Sequence, residues 1–300
     1  MKKILFPTDF SPAADNAFIY ALKLANKVGA SITTLHCYEL PALKSSHLPR
    51  TTREIYETMS LEEFENYKDH VPHLRSIAEE AGLASIPLDH VMKEGEAIHN
   101  IVTTAKKDKY DLIVMGTTGA SGIKRIFLGS VAAETMENAP CPVLAVPTEA
   151  AFDGVIDHVG FTTDYQEEEK RALDWLANWP ALQSATIHCV HIDLKHTDDL
   201  TQRMDVFSRN FMGLKNVSFS VVDHTHFEKA IVQFIEEREL DVLAMVIHKR
   251  NFLKELFAYS FTKSLAYHLT TPILAIPENA IQNLNPAMED RQFGLTGQSV

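Results

Sequence analysis

Cysteine is scarce. There are three in 300 residues, none at a paired spacing, so there is no basis for a disulfide framework or a cysteine-built metal site. Cys37, Cys141 and Cys189 each sit in an apolar, strand-like run and read as small buried hydrophobes in a reducing compartment. Basic residues are also short, 28 Lys and Arg against 40 Asp and Glu. The resulting net charge of −12 excludes the electropositive surface that nucleic acid or an anionic membrane demands. No apolar run approaches the roughly 20 residues of a membrane span. The opening Met1-Lys-Lys-Ile-Leu-Phe-Pro7 starts like a signal peptide, but its apolar stretch stops at Pro7 and no small-residue cleavage site follows. A cytoplasmic protein is expected. Catalytic signatures are missing too: no G-x-S-x-G elbow, H-E-x-x-H pair, Cys-x-x-Cys or kinase set occurs, and no Walker A or G-x-G-x-x-G loop.

What is present is one unit written twice. Asp111-Leu-Ile-Val-Met115 recurs as Asp241-Val-Leu-Ala-Met245, an offset of 130. The same offset carries Lys124 onto Lys254, Phe127 onto Phe257, Ser130 onto Ser260 and residues 142–147 onto 272–277. Phe6-Pro-Thr-Asp9 matches Phe161-Thr-Thr-Asp164, and Leu35-His-Cys37 matches Ile187-His-Cys189, offsets of 155 and 152 that make the second copy shorter in its middle. Strands are predicted at residues 2–7, 31–37, 86–92, 111–115 and 142–146, and again at 155–161, 185–190, 217–222, 241–247 and 272–276. Ser11 and Pro12 form a helix start, Phe18, Leu22 and Ala25 share a face of that helix, and Gly29 ends it. A long acidic helical region, about residues 51–81, stops at Gly82, and its counterpart near 198–212 is shortened. Strands alternating with helices imply an α/β fold, two tandem open-twisted parallel sheets with helices on both faces. Residues 148–153 are expected to link the copies, and the chain turns polar and aperiodic beyond Pro277.

Between the apolar run ending at Met115 and a short helix opening on Ser130 lies Gly116-Thr-Thr-Gly119-Ala-Ser-Gly-Ile-Lys-Arg-Ile-Phe-Leu-Gly129-Ser130. Glycines at a strand-to-helix junction let the backbone approach a ligand, and the helix start adds partial positive charge, so the place suits phosphate. In an open parallel sheet, ligands bind beyond the carboxyl ends of the strands, and Pro7-Thr8-Asp9 ends the first strand. An ionised Asp9 accepts hydrogen bonds only, which suits an adenine amino group or a ribose hydroxyl.

This glycine pattern resembles the nucleotide loop of the universal stress protein family, in its ATP-binding branch, over nearly all of residues 1–147. The resemblance implies five-stranded sheets in the order 3-2-1-4-5, similar to adenine-nucleotide alpha hydrolases. Carried over by position, it gives an adenine and ribose wall of Pro7, Thr8, Asp9, Cys37, Met115 and Gly116. It gives a phosphate side of Thr118, Gly119, Gly129, Ser130, Val131 and Ala132, where many members carry Thr or Ser in place of Ala132. The implied ligand is ATP, or ADP or AMP, with or without Mg²⁺. No catalytic residue is assigned, because Asp9 is the one strand-end acid near the site and hydrolysis needs a positioned water and a metal held by carboxylates. The implied function is a stress-response regulator whose nucleotide biases conformation or partner choice. The alternatives are a slow ATPase and a nucleotide-free interaction scaffold.

The expected division is a nucleotide-binding domain at 1–147, a degenerate domain at 154–278 and a tail at 279–300. Degeneracy follows from the offset of 130, which turns Gly116 into Val246, Gly119 into Lys249 and Gly129 into Tyr259. Domains of the family pair through their last strands, which implies that residues 142–146 pair with 272–276 inside this chain and that sheet-edge pairing yields a homodimer. Asp164, His191, His224, His226 and His248 all fall near strand ends, a set that could hold zinc in the second domain. Strand order puts His191 and His224 on one side of the first strand of that copy and His248 on the other, which favours scattered histidines. His36 and His188 read as core or crevice histidines.

Overall fold

The computed structural model describes residues 1–40, 50–117, 128–194, 197, 199–247 and 270–284. The first copy runs β1 (Lys3–Pro7), α1 (Pro12–Val28), β2 (Ser31–Tyr38), α2 (Arg50–Glu80), β3 (Leu88–Glu94), α3 (Ala97–Lys107), β4 (Leu112–Gly116), α4 (Ser130–Asn138) and β5 (Val143–Val146). The second runs β6 (His158–Thr162), α5 (Glu169–Ala177), β7 (Thr186–Asp193), α6 (Leu200–Ser208), β8 (Val217–Asp223), α7 (Phe227–Glu237), β9 (Val242–Ile247), β10 (Ile273–Pro277) and α8 (Glu278–Leu284). Each copy orders its strands 3-2-1-4-5, and the two halves join into one ten-stranded sheet, β3-β2-β1-β4-β5-β10-β9-β6-β7-β8.

Every pairing within a half is parallel, while β5 and β10 meet antiparallel, with Leu144 opposite Leu274 and Ala145 opposite Ile273. The last strands therefore cover each other inside the chain, and the sheet's outer edges are β3 and β8. Alternation along the joining strands feeds two core layers, each continuous across the halves. Leu144, Val146, Leu274 and Ile276 face α1, α2, α5, α6 and α8, whereas Val143, Ala145, Ile273 and Ala275 face α3, α4 and α7.

Local signals explain the element ends. Ser11 Oγ accepts from the Ala14 amide at 3.2 Å to cap α1, Pro12 takes the first helical position, and Gly29 closes the helix at φ 68. The predicted third strand starts and ends two residues late, at Leu88–Glu94. Beyond Pro277 the predicted aperiodic segment instead coils into α8, because Ala280 and Ile281 are buried against the core beside Leu284.

The repeat register also corrects one sequence match. Pro7 pairs with Leu35 and Thr162 with Val190, so β2 maps onto β7 at an offset of 155 rather than 152. His36 corresponds to His191: their Nδ1 atoms donate to the Thr8 and Thr163 carbonyls at 2.9 and 3.0 Å. His188 misleads because a histidine precedes a cysteine in both copies, and a three-residue slip moves a strand residue to the opposite face. His188 instead lies near the amino ends, where its Nε2 is 3.3 Å from His158 Nδ1 and its Nδ1 is 3.1 Å from Ser218 Oγ.

Candidate functional site

The first copy opens a cavity of about 240 Å³ at the carboxyl ends of β1 and β4, at the point where the strand order reverses. The turn after β1 forms one wall. Phe10 sits at φ 58, strained for an aromatic residue, and the Phe10 amide donates to Thr8 Oγ1 at 3.0 Å, which holds the turn. Asp9 Oδ1 accepts from the Ser11 amide at 3.1 Å, which fixes the carboxylate between cavity and helix start. The second copy repeats this turn, with Tyr165 at φ 57 and its amide 2.9 Å from Thr163 Oγ1.

The opposite wall is the entry to α4. The Gly129 amide donates to the Thr117 carbonyl at 2.6 Å, and a Cβ on Gly129 would sit 3.3 Å from that same oxygen. Gly129 caps α4 without any side-chain hydrogen bond, whereas Ser11 caps α1 and Glu96 caps α3. Such an uncapped helix start offers its first amides, those of Ser130, Val131 and Ala132, to an anion.

Of the twelve residues expected from sequence, ten line this one cavity: Pro7, Thr8, Asp9, Cys37, Met115, Gly116, Gly129, Ser130, Val131 and Ala132. Thr118 and Gly119 lie outside the described residues, as do Lys124 and Arg125. Five further lining residues, Ala14, Leu35, Ala97, Ile101 and Thr117, escaped the sequence reading. Period-two alternation from Cys37 back to Leu35 would have found one of them, and the start of α3, which packs against β2, carries two more. Burial pushes the Cys37 thiol up to about 11, so it meets a ligand as a neutral, soft surface.

In the second copy the same positions are filled. Ala97 becomes Phe227, Gly116 becomes Val246 and Thr117 becomes Ile247 at the offset of 130, and Cys37 becomes Ile192 at 155. Val246, Ile247 and Ile192 are buried, and Phe227 packs against the same core. Ala14 becomes Glu169, 2 % exposed, whose Oε2 accepts from Thr163 Oγ1 at 2.7 Å and from the amides of Asp164 and Gln166 at 3.0 Å each. A carboxylate of the chain thus occupies the turn that Ala14 leaves open in the first copy.

Among the described residues no group of three or more His, Cys, Asp or Glu is placed to hold a metal. His191 lies 3.1 Å from Asp164, and the His224 ring accepts from the His226 amide at 2.9 Å, while His248 lies outside the described residues. No described helix is long and apolar enough to cross a membrane.

Comparison with known proteins follows the repeat. The model of the universal stress protein family matches residues 1–147. A universal stress protein of Methanocaldococcus jannaschii is 36% identical over 145 residues, covering 48% of this chain and 81% of the relative. One from Synechocystis is 24% identical over 295 residues, 91% of this chain and 99% of its own length. A universal stress protein structure from Archaeoglobus fulgidus superposes with a TM-score of 0.67 at 21% identity, covering 92% of this chain and 96% of that one.

Proposed function

We propose a function for a chain that belongs to the universal stress protein family: its first half binds one adenine nucleotide, and its second half binds none. The observation that carries this reading is the uncapped start of α4 facing a cavity whose other wall holds Asp9. Apolar side chains of Leu35, Cys37, Ile101 and Met115 suit the faces of a base, and Thr8 and Asp9 suit its amino group or a ribose hydroxyl. The amides of Ser130, Val131 and Ala132, with the Ser130 hydroxyl, suit phosphate oxygens. Thr118 and Gly119 are proposed to complete the phosphate side. Ala132 supplies an amide but no hydroxyl, so phosphate contact there is through the backbone alone. ATP is the ligand that uses the most of this surface, and ADP or AMP use less.

Binding rather than turnover is the reading, since Asp9 is the single carboxylate among the described lining residues. The nucleotide then acts as an effector in a stress response, biasing conformation or partner choice, and whole chains associate as homodimers. Purified protein, denatured without added ligand, should release an adenine nucleotide, and calorimetry should give a stoichiometry near one ATP per chain. A stoichiometry near two would break the assignment to the first half. Sustained phosphate release at about 10 per second would replace the regulator with an enzyme.

A further inference from the structure

We infer that two chains join edge to edge, β8 of one pairing antiparallel with β8 of a second copy; this rests on the homodimer proposed above and names its surface. The ten-stranded sheet ends on β3 in the first half and on β8 in the second, and among the described residues neither has a strand on its outer side. The two edges are equally open, since no residue of either strand is buried and their patterns of exposure match. They differ in chemistry. Leu35 pairs with Val91 and Val190 with Ser220, so β3 maps onto β8 at an offset of 129. Asp89, His90 and Lys93 of β3 thus become Ser218, Phe219 and Val222, and Glu94 becomes Asp223. Lys93 turns inward to α3, donating to Oγ1 of the buried Thr104 at 2.6 Å, and Asn100 Nδ2 donates to the Glu94 carbonyl at 3.1 Å. Charges on an edge strand, inward-pointing ones included, make the addition of another strand costly. In the second half Phe234 and Ala230 replace Thr104 and Asn100, and β8 keeps one charge, at its end.

The backbone sets the register. The Ile187 amide donates to the Asn216 carbonyl and the His224 amide to the Asp193 carbonyl, so the even-numbered residues of β8 bond to β7. The N–H and C=O groups of Val217, Phe219, Val221 and Asp223 therefore point outward. An antiparallel copy centred on Ser220 uses all four residues. Phe219 exchanges both bonds with Val221 of the second copy, and Val217 exchanges both with its Asp223. Ser220 then faces Ser220 of the second copy across a two-fold axis, as a non-hydrogen-bonded pair. The ends are complementary in charge, because Asp223 comes diagonal to the exposed Lys215 of the second copy, about 7 Å away. Val206 on α6 and Met212 on the turn before β8 are 53% and 79% exposed, so apolar surface adjoins the edge. Within the chain, β5 and β10 already join two parallel sheets by such an antiparallel pairing.

Sedimentation velocity on the full-length protein, from about 1 to about 100 µM, should show a monomer–dimer equilibrium with a dissociation constant on the order of 10 µM. Ser220→Lys sets two ammonium groups directly opposite each other, and Val221→Pro removes an outward N–H that β7 does not use. Each should weaken dimerisation at least about tenfold and leave ATP affinity unchanged. Met92→Pro, the matching change on β3, should leave the dimer intact. Ser220→Cys should form a covalent dimer with oxidised glutathione, because a non-hydrogen-bonded pair holds its Cα atoms about 4.5 Å apart. Ser218→Cys, which faces Val222 of the second copy, should not, and neither should the unsubstituted protein. A dimer that survives both Ser220→Lys and Val221→Pro and yields no Ser220→Cys cross-link would overturn the β8 surface while leaving the homodimer. A monomer at about 100 µM would overturn both. If Val221→Pro does not fold, Ser220→Lys and the cross-link decide.

Discussion

The two halves share a sheet order, a strained turn after the first strand and a histidine bonded to that turn, yet they differ in what fills the crevice above the strand ends. In the first, Ala14, Ala97, Gly116 and Thr117 are small and leave a cavity. In the second, Glu169, Phe227, Val246 and Ile247 occupy the equivalent positions. A fold therefore survives larger side chains at these crevice positions, because the scaffold is held by strand pairing and by the core layers on either face. The crevice is a separable feature, decided by a handful of side-chain volumes and one buried carboxylate.

Separating the halves should have the largest effect. A fragment ending at Thr148 exposes β5, whose backbone pairs with β10 in the whole chain. The fragment should dimerise or aggregate, because an apolar parallel strand left as an edge recruits another copy. Light scattering that shows a well-behaved monomer at high concentration would break the view that each half covers the other's last strand.

Next in size is the exchange of one residue between crevices. Ala14→Glu gives the first half the carboxylate of the second, beside Asp9 and in the cavity itself. Nucleotide affinity should fall at least about a hundredfold, roughly 2.7 kcal/mol, since the ligand would meet both lost volume and added negative charge. Calorimetry at unchanged circular dichroism checks this, and unaltered affinity would place the nucleotide elsewhere. The reciprocal change, Glu169→Ala, should cost stability instead. It leaves the Thr163 hydroxyl and the Asp164 and Gln166 amides without their acceptor, a loss of about 2 kcal/mol in urea unfolding. It should create no nucleotide site, because Phe227, Val246 and Ile247 remain. ATP binding by the second half of that variant would show that the carboxylate alone closes the crevice.

Much of this contrast is legible in the sequence. Strand positions, the duplication and the glycine loop follow from periodicity and repeat offsets, whereas the strand order, the pairing of the last strands and the full set of ten cavity residues come from the family resemblance. Glu169 looks like an ordinary acidic residue at a helix start until the turn is seen to fold three donors around it. His188 stands in the sequence match where His191 belongs, because two His-containing frames compete and only the pairing of Thr162 with Val190 selects one. The helix after Pro277 was missed because two apolar side chains, Ala280 and Ile281, are too few to announce a period but enough to dock a single short helix.

The smallest expected effect is a pH dependence carried by His191 in the second half. His191 and His36 occupy equivalent positions, but His191 also meets the Asp164 carboxylate at 3.1 Å. Its hydrogen bond to Asp164 holds the imidazolium and raises the His191 pKa above 6.5, with burial opposing and the Thr163 carbonyl assisting. A folded-state value raised above the unfolded one contributes stability that is fully present below pH 6.5 and lost as pH rises through the folded value. Asp164 is 65% exposed, so solvent screens the pair and the contribution is under about 1 kcal/mol. The pH 6 to pH 8 change in urea midpoint should therefore contain a slight decline from His191, set against the opposite drift of His90 and His188, whose values burial lowers, and His191→Asn should remove that decline. A pH 6 to pH 8 change that is the same in His191→Asn as in the unsubstituted protein would assign the proton to another group.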